Sequence, residues 1–148
     1  MLVDANILLY AVDETSPQHD RARRWLEDAL NGSRRVGLPW LSLTAFVRIA
    51  THPRALESPL GSADAWAYVE NWLEAPSAWV PQPGRGHRDI LGRMVRELDL
   101  RGNLVTDAVI AALCVEHGLS IVSADSDFAR FRELTWVNPV AARGGSTR

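Results

Sequence analysis

Apolar residues along this chain fall into two rhythms. Short runs at Met1-Leu2-Val3, Val36 to Leu38, Ala78-Trp79-Val80, Leu119 to Val122 and Thr135-Trp136-Val137 predict strands. The fourth is too apolar to alternate, as expected of a central parallel strand covered on both faces. Between the runs, apolar positions recur every three or four residues, which predicts helices. Ile7 to Tyr10 opens a short helix directly after the first strand. Ser16-Pro17 reads as a helix start, with Ser16 as the cap and Pro17 in the first position. Ala22, Trp25, Leu26 and Leu30 follow at helical spacing until Asn31-Gly32. Trp40 to Thr51 reads as a helix, and Pro53 to Gly61 reads as a loop. Ser62-Ala63-Asp64 opens a helix with Trp66, Val69 and Leu73 on one face and Trp72 off it. His87 to Leu98 carries the stripe Ile90, Leu91, Met94, Val95 and Leu98. Thr106 to His117 is nearly apolar after its first turn, so it is expected to pack on several sides, ending at Gly118. Ser123 to Phe128 is a turn, with a short helix on to Phe131.

Strands alternating with helices give an α/β domain, a mostly parallel sheet flanked by helices, over residues 1–140; Ala141 to Arg148 is a polar tail. The length of 148 residues fits one domain able to fold alone. Composition then narrows the chemistry. All sixteen basic residues are arginine, so every mechanism that needs an ammonium group is excluded. A formal net charge of -2 excludes the strongly basic balance of proteins that coat nucleic acid, while leaving room for a local arginine stripe. The single cysteine, Cys114, excludes an internal disulfide framework and fits a reducing compartment. The chain reaches Asp4 before a signal sequence could form and has no apolar run of membrane length; a cytoplasmic protein is the expectation.

Open α/β sheets bind ligands beyond the carboxyl ends of their strands. Asp4 closes the first strand and Asp125 follows the fourth, while Asp107 enters the first turn of the buried helix between them. Each has an ordinary structural alternative: Asp4 and Asp125 or Asp127 as helix caps, Asp107 as a complement to a helix dipole beside a capping Thr106. Their convergence is the stronger signal, because carboxylates in one cleft repel one another unless a cation holds them. Oxygen donors, with no cysteine cluster and no histidine pair, favour Mg²⁺ or Mn²⁺. Such a site fits attack of water on a phosphodiester. An EF-hand fits poorly, since the sixth position counted from Asp125 is Arg130 and not glycine. A receiver domain or a haloacid-dehalogenase-like phosphatase usually needs the lysine this chain lacks.

The segments LVDANILLYA, NLVTDAVIAALCVEHG and IVSADSDFARF, in this order, resemble the PIN domain, and within it the VapC toxins of bacterial VapBC toxin–antitoxin pairs. The resemblance runs from about residue 1 to 140. It implies a Rossmann-like fold, metal-dependent endoribonuclease activity, a homodimer and a VapB-type antitoxin partner. By position, Asp4 and Asp107 match the principal magnesium ligands and Asp125 the further acid, while Asn6 and Thr106 match polar positions supporting them. The glutamate that many PIN domains carry on the third helix aligns with Ala45, and Asp127 is the candidate to replace it. Without that acid, the alternative is a degenerate PIN domain that binds RNA or protein without cutting. The stretch Phe46 to Arg54 resembles the FxRxATxPR-like segment of a VapC subgroup; its Arg48 and Arg54 could grip RNA phosphates or be plain solvated arginines. The six tryptophans are expected mainly in the core; if Trp72 or its neighbours are exposed they would mark a dimer or antitoxin surface, and no interleaved basic pattern supports base stacking on them.

Overall fold

The computed structural model describes residues 1–142, so most of the predicted tail, from residue 143, lies outside the described residues. Strands β1 (Leu2–Val3), β2 (Val36–Gly37), β3 (Ala78–Trp79), β4 (Ile121–Val122) and β5 (Trp136–Val137) form one sheet in the order β3-β2-β1-β4-β5. Every pairing is parallel, with Leu2 opposite both Gly37 and Ile121. Around the sheet lie α1 (Ala5–Val12), α2 (His19–Leu30), α3 (Trp40–Ala50), α4 (Ser62–Glu74), α5 (His87–Glu97) and α6 (Asn103–His117), with a 3₁₀ turn at Ser126–Arg130.

The central strands carry apolar residues on both sides because each side has its own core. Successive side chains on a strand point to opposite faces. Leu2 and Ile121 therefore pack with Met94, Ala108, Phe128 and Phe131 under α5 and α6. Val3 and Val122 pack with Ile7, Leu43, Phe46 and Trp72 under α1 to α4.

Three local expectations are revised. Helix α2 begins at His19 rather than Pro17, because the Ser16 hydroxyl accepts the Gln18 N–H at 3.2 Å and closes a separate turn first. On α4 the buried face is Ala65, Val69 and Trp72, while Trp66 is exposed; Trp72 wins the inward position by meeting Phe46 edge-on at 4.8 Å. Helix α6 starts one turn earlier than Thr106. Gly102, at φ 59° and ψ -132°, adopts a backbone open to glycine, and this lets Asn103 begin the helix. Gly118 ends α6 in the left-handed conformation, as predicted.

Candidate metal centre

The strand order reverses at β1 and β4, and the crevice at their carboxyl ends is where such sheets hold ligands. Asp4 leaves β1 and caps α1, its Oδ1 accepting the Ala5 N–H at 2.8 Å. Its Oδ2 accepts the Ser123 hydroxyl at 2.7 Å and the Asn6 amide at 3.2 Å. Three donors against roughly four acceptor positions leave the carboxylate free to face one more positive group. Asn6 also donates to Ser123 Oγ at 3.0 Å and accepts the Ala124 N–H, while Ser123 Oγ accepts the Asp125 N–H at 3.0 Å. Ser123 is fully buried and ties the ends of β1 and β4 together. The sequence alone does not single it out, because a serine after a strand looks like any turn residue. Ser123→Ala is expected to destabilise the fold by about 2 kcal/mol, since Asp4 and the Asp125 N–H each lose a partner. Urea unfolding checks this; a loss too small to measure would mean the network does not depend on the hydroxyl.

Asp107 lies in the second turn of α6, beyond reach of the helix-end amides, so the helix-dipole explanation for it does not hold. Instead, carboxylate oxygens of Asp107, Asp125 and Asp127 lie within 4.8 Å of one another. Asp125 also accepts the Asp127 N–H at 2.8 Å, so the expected cap and the convergence coexist in one residue. Arg130 binds Asp127 Oδ1 at 3.0 Å. Burial, followed by the charges of Asp125, Asp4 and Asp127, pushes the Asp107 carboxyl up to about 6, opposed only by Arg130. Asp4 is also raised, chiefly by burial, against the lowering effect of its bonds to Ser123 and Ala5. Both shifts disfavour the charged form of Asp107 and Asp4 in the empty cleft, a cost that a shared cation would relieve, and the all-oxygen donor set suits a hard divalent ion that keeps some of its waters. On that chemistry the residues fit Mg²⁺ or Mn²⁺.

A family model of the PIN domain matches residues 1–134. The chain belongs to the PIN-domain family. It is 50% identical over 140 residues to Ribonuclease VapC37 of Mycobacterium tuberculosis, covering 95% of this chain and 97% of that protein. Ribonuclease VapC33 of the same species is 43% identical over 140 residues, with 95% and 98% covered. These relatives place the chain in the VapC branch. Among solved structures, VapBC2 from Rickettsia felis bound to a promoter DNA fragment aligns at TM-score 0.68 and 15% identity, over 93% of this chain and 96% of that one. VapBC-1 from nontypeable Haemophilus influenzae also aligns at 0.68, with 16% identity over 95% and 98%. At such identities the match speaks for the PIN fold alone, and it agrees with the architecture above.

The PIN cleft has a volume of about 520 Å³, with Asp4 and Asp107 at one side and Thr44, Ala45 and Arg48 of α3 at the other. Thr106 stands exposed on its rim beside Asp107. At Ala45 α3 offers no carboxylate, while Asp127, from the 3₁₀ turn after β4, joins Asp107 and Asp125 in the acid cluster. Arg48 also lines a neighbouring hollow of about 220 Å³ with His52 and Arg54, and no acid faces that hollow. A larger hollow of about 730 Å³ between α1, α2 and α4 contains Glu14, Asp20, Glu27 and Glu74. Among the described residues, only Asp107, Asp125 and Asp127 bring three such ligands within reach of one ion. Cys114 is buried in the α6 core, and burial pushes its thiol up to about 12, so it stays an inert packing residue. No helix among the described residues is long and apolar enough to cross a membrane.

Proposed function

We propose that this chain is a divalent-metal-dependent endoribonuclease, the toxin of a VapBC pair, hydrolysing phosphodiester bonds in structured RNA. The observation that carries the reading is the acid cluster Asp107, Asp125 and Asp127 beside Asp4, at the strand ends of a chain half identical to a protein named Ribonuclease VapC37. A Mg²⁺ or Mn²⁺ ion held there supplies Lewis-acid polarisation of the phosphate and a lowered pKa for its water. The chain's own residues do the rest. Asp4, fixed by Ser123 and Asn6, and Asp107, projecting from α6, present their oxygens across the cleft mouth. Asp125 is held beside Asp127 by the 3₁₀ turn it caps. Thr106 supports the rim next to Asp107. Arg48 and Arg54 hold flanking phosphates by their guanidinium forks, which suits a protein whose overall charge does little to attract RNA.

Asp127 supports catalysis over a degenerate binding module, because it supplies a third clustered carboxylate where α3 has Ala45. Partnership with a VapB-type antitoxin, a homodimer and a cytoplasmic location follow from the same VapC reading. The deciding experiment incubates purified, antitoxin-free protein with total cellular RNA, with Mg²⁺ or Mn²⁺ and with EDTA. Discrete fragments that vanish with EDTA are expected. Intact RNA from a folded protein with either ion would instead favour the binding module.

A further inference from the structure

Helix α3 turns three residues to solvent in register: Trp40, Thr44 and Arg48, spaced four apart along one stripe. Thr44 and Arg48 both line the acidic cleft, and the Thr44 hydroxyl donates to the Trp40 carbonyl at 2.7 Å. Trp40 therefore stands one helical turn beyond the cleft wall, and about 12 Å of helix separates it from Arg48. Its ring does not fold into the core. It is 42% exposed and stacks on Trp66 of α4, also 42% exposed, with centroids 6.3 Å apart and planes within 5°. The Trp66 ring is held in place by donating to Glu70 at 3.2 Å. Two large rings are thus held parallel at the surface, each with two-fifths of its residue open to solvent. Along α3 from Trp40 come first the cleft lined by Asp4 and Asp107 and then the hollow of Arg48 and Arg54.

We infer that the Trp40–Trp66 pair is a stacking subsite for an unpaired base of the RNA, next to the bond that the cleft addresses; this rests on the ribonuclease reading. The strand would run along α3, with one base on the aromatic pair and a phosphate further on at Arg48 and Arg54. Base stacking on aromatic rings does not depend on net charge, and here it supplies affinity that a chain of formal net charge -2 cannot draw from phosphate attraction alone. It also commits the site to single-stranded or looped RNA, since a base within a duplex has no free face to offer.

The test measures binding of a short single-stranded RNA, and of the same backbone without bases, in EDTA so that nothing is cut. Trp40→Ala and Trp66→Ala are each expected to weaken binding of the base-bearing strand about tenfold, leave the abasic strand unchanged and leave the salt dependence unchanged. Trp40→Phe should recover part of the loss. In cleavage assays the alanine variants should raise KM while kcat holds. Equal binding of the base-bearing strand by wild type and variants overturns the subsite, and so does a loss shared by the abasic strand. Unchanged RNA binding together with a shift from dimer to monomer would assign the pair to an interface between copies instead. Failure of the wild type itself to cut RNA would count against the nuclease reading, whereas failure of the variants alone to differ counts only against the stacking site.

Discussion

Asp107→Asn is expected to lower RNA cleavage by about 10²–10⁴-fold and, in the metal-free protein near neutral pH, to make the fold more stable. The two effects have one cause. The Asp107 carboxylate is half-buried among Asp4, Asp125 and Asp127, so its charge is costly to the empty fold and useful to a bound cation. A metal's share of transition-state stabilisation is several kcal/mol, and each 1.36 kcal/mol is tenfold in rate, which sets the size of the kinetic loss. Asparagine keeps the shape of the side chain and removes the charge. The shift to about 6 would correspond to some 3 kcal/mol in a sealed site, but Asp107 is open to solvent on one side, so a gain of about 1 kcal/mol is expected. Fragment yield from total RNA and urea unfolding in EDTA measure the two effects separately. A variant that cuts at the wild-type rate would remove Asp107 from the chemistry, and one that unfolds more easily would show that its charge is not a burden.

The second large effect couples pH, metal and stability. An unfolded aspartate titrates near 3.9, whereas Asp107 in the fold titrates at about 6. Between those values the folded chain keeps a proton that the unfolded chain has lost. The contribution of this group is therefore fully present below about pH 4, and it is lost as the pH rises through about 6. Asp4 is shifted in the same direction. A bound divalent ion reverses the sense, because it prefers the deprotonated cluster. With Mg²⁺ at about a hundred times its dissociation constant the gain is about 2.7 kcal/mol, or roughly 5–10 °C in unfolding temperature for a domain of this size. At about pH 5 protons compete for the same oxygens, so the gain should shrink and cleavage should fall with it. Thermal unfolding at both pH values, with Mg²⁺ and with EDTA, checks this. A Mg²⁺ shift of equal size at both would mean that the ion binds somewhere other than the acid cluster.

The sequence carries this centre unevenly. Asp4, Asp107 and Asp125 stand out because each interrupts an apolar stretch, where a charge calls for an explanation. Ser123 does not stand out, although it joins Asp4, Asn6 and Asp125, since its importance arises from β1 and β4 lying side by side and that pairing is invisible locally. Helix faces show the same limit. Trp66, Val69 and Leu73 fit helical spacing as well as Ala65, Val69 and Trp72 do. What decides between them is Phe46, more than twenty residues away on α3. The early start of α6 was hidden because Gly102-Asn103 reads as a break, while the backbone uses that glycine as a pivot into the helix. The strands were legible because a sheet covered on both sides leaves short, unbroken apolar runs.

The pairing of Leu2 with Ile121 has a consequence for how the protein comes into being. The central contact of the sheet joins the opening of the chain to a segment made more than a hundred residues later. Such distant closures come late in folding, and during synthesis the amino-terminal strand must wait for its neighbour to leave the ribosome. Asp4 is among the first residues translated and Asp107, Asp125 and Asp127 come from the last third, so Asp4 meets those acids only in a nearly finished chain. A nascent or truncated copy of this protein therefore lacks the completed carboxylate centre.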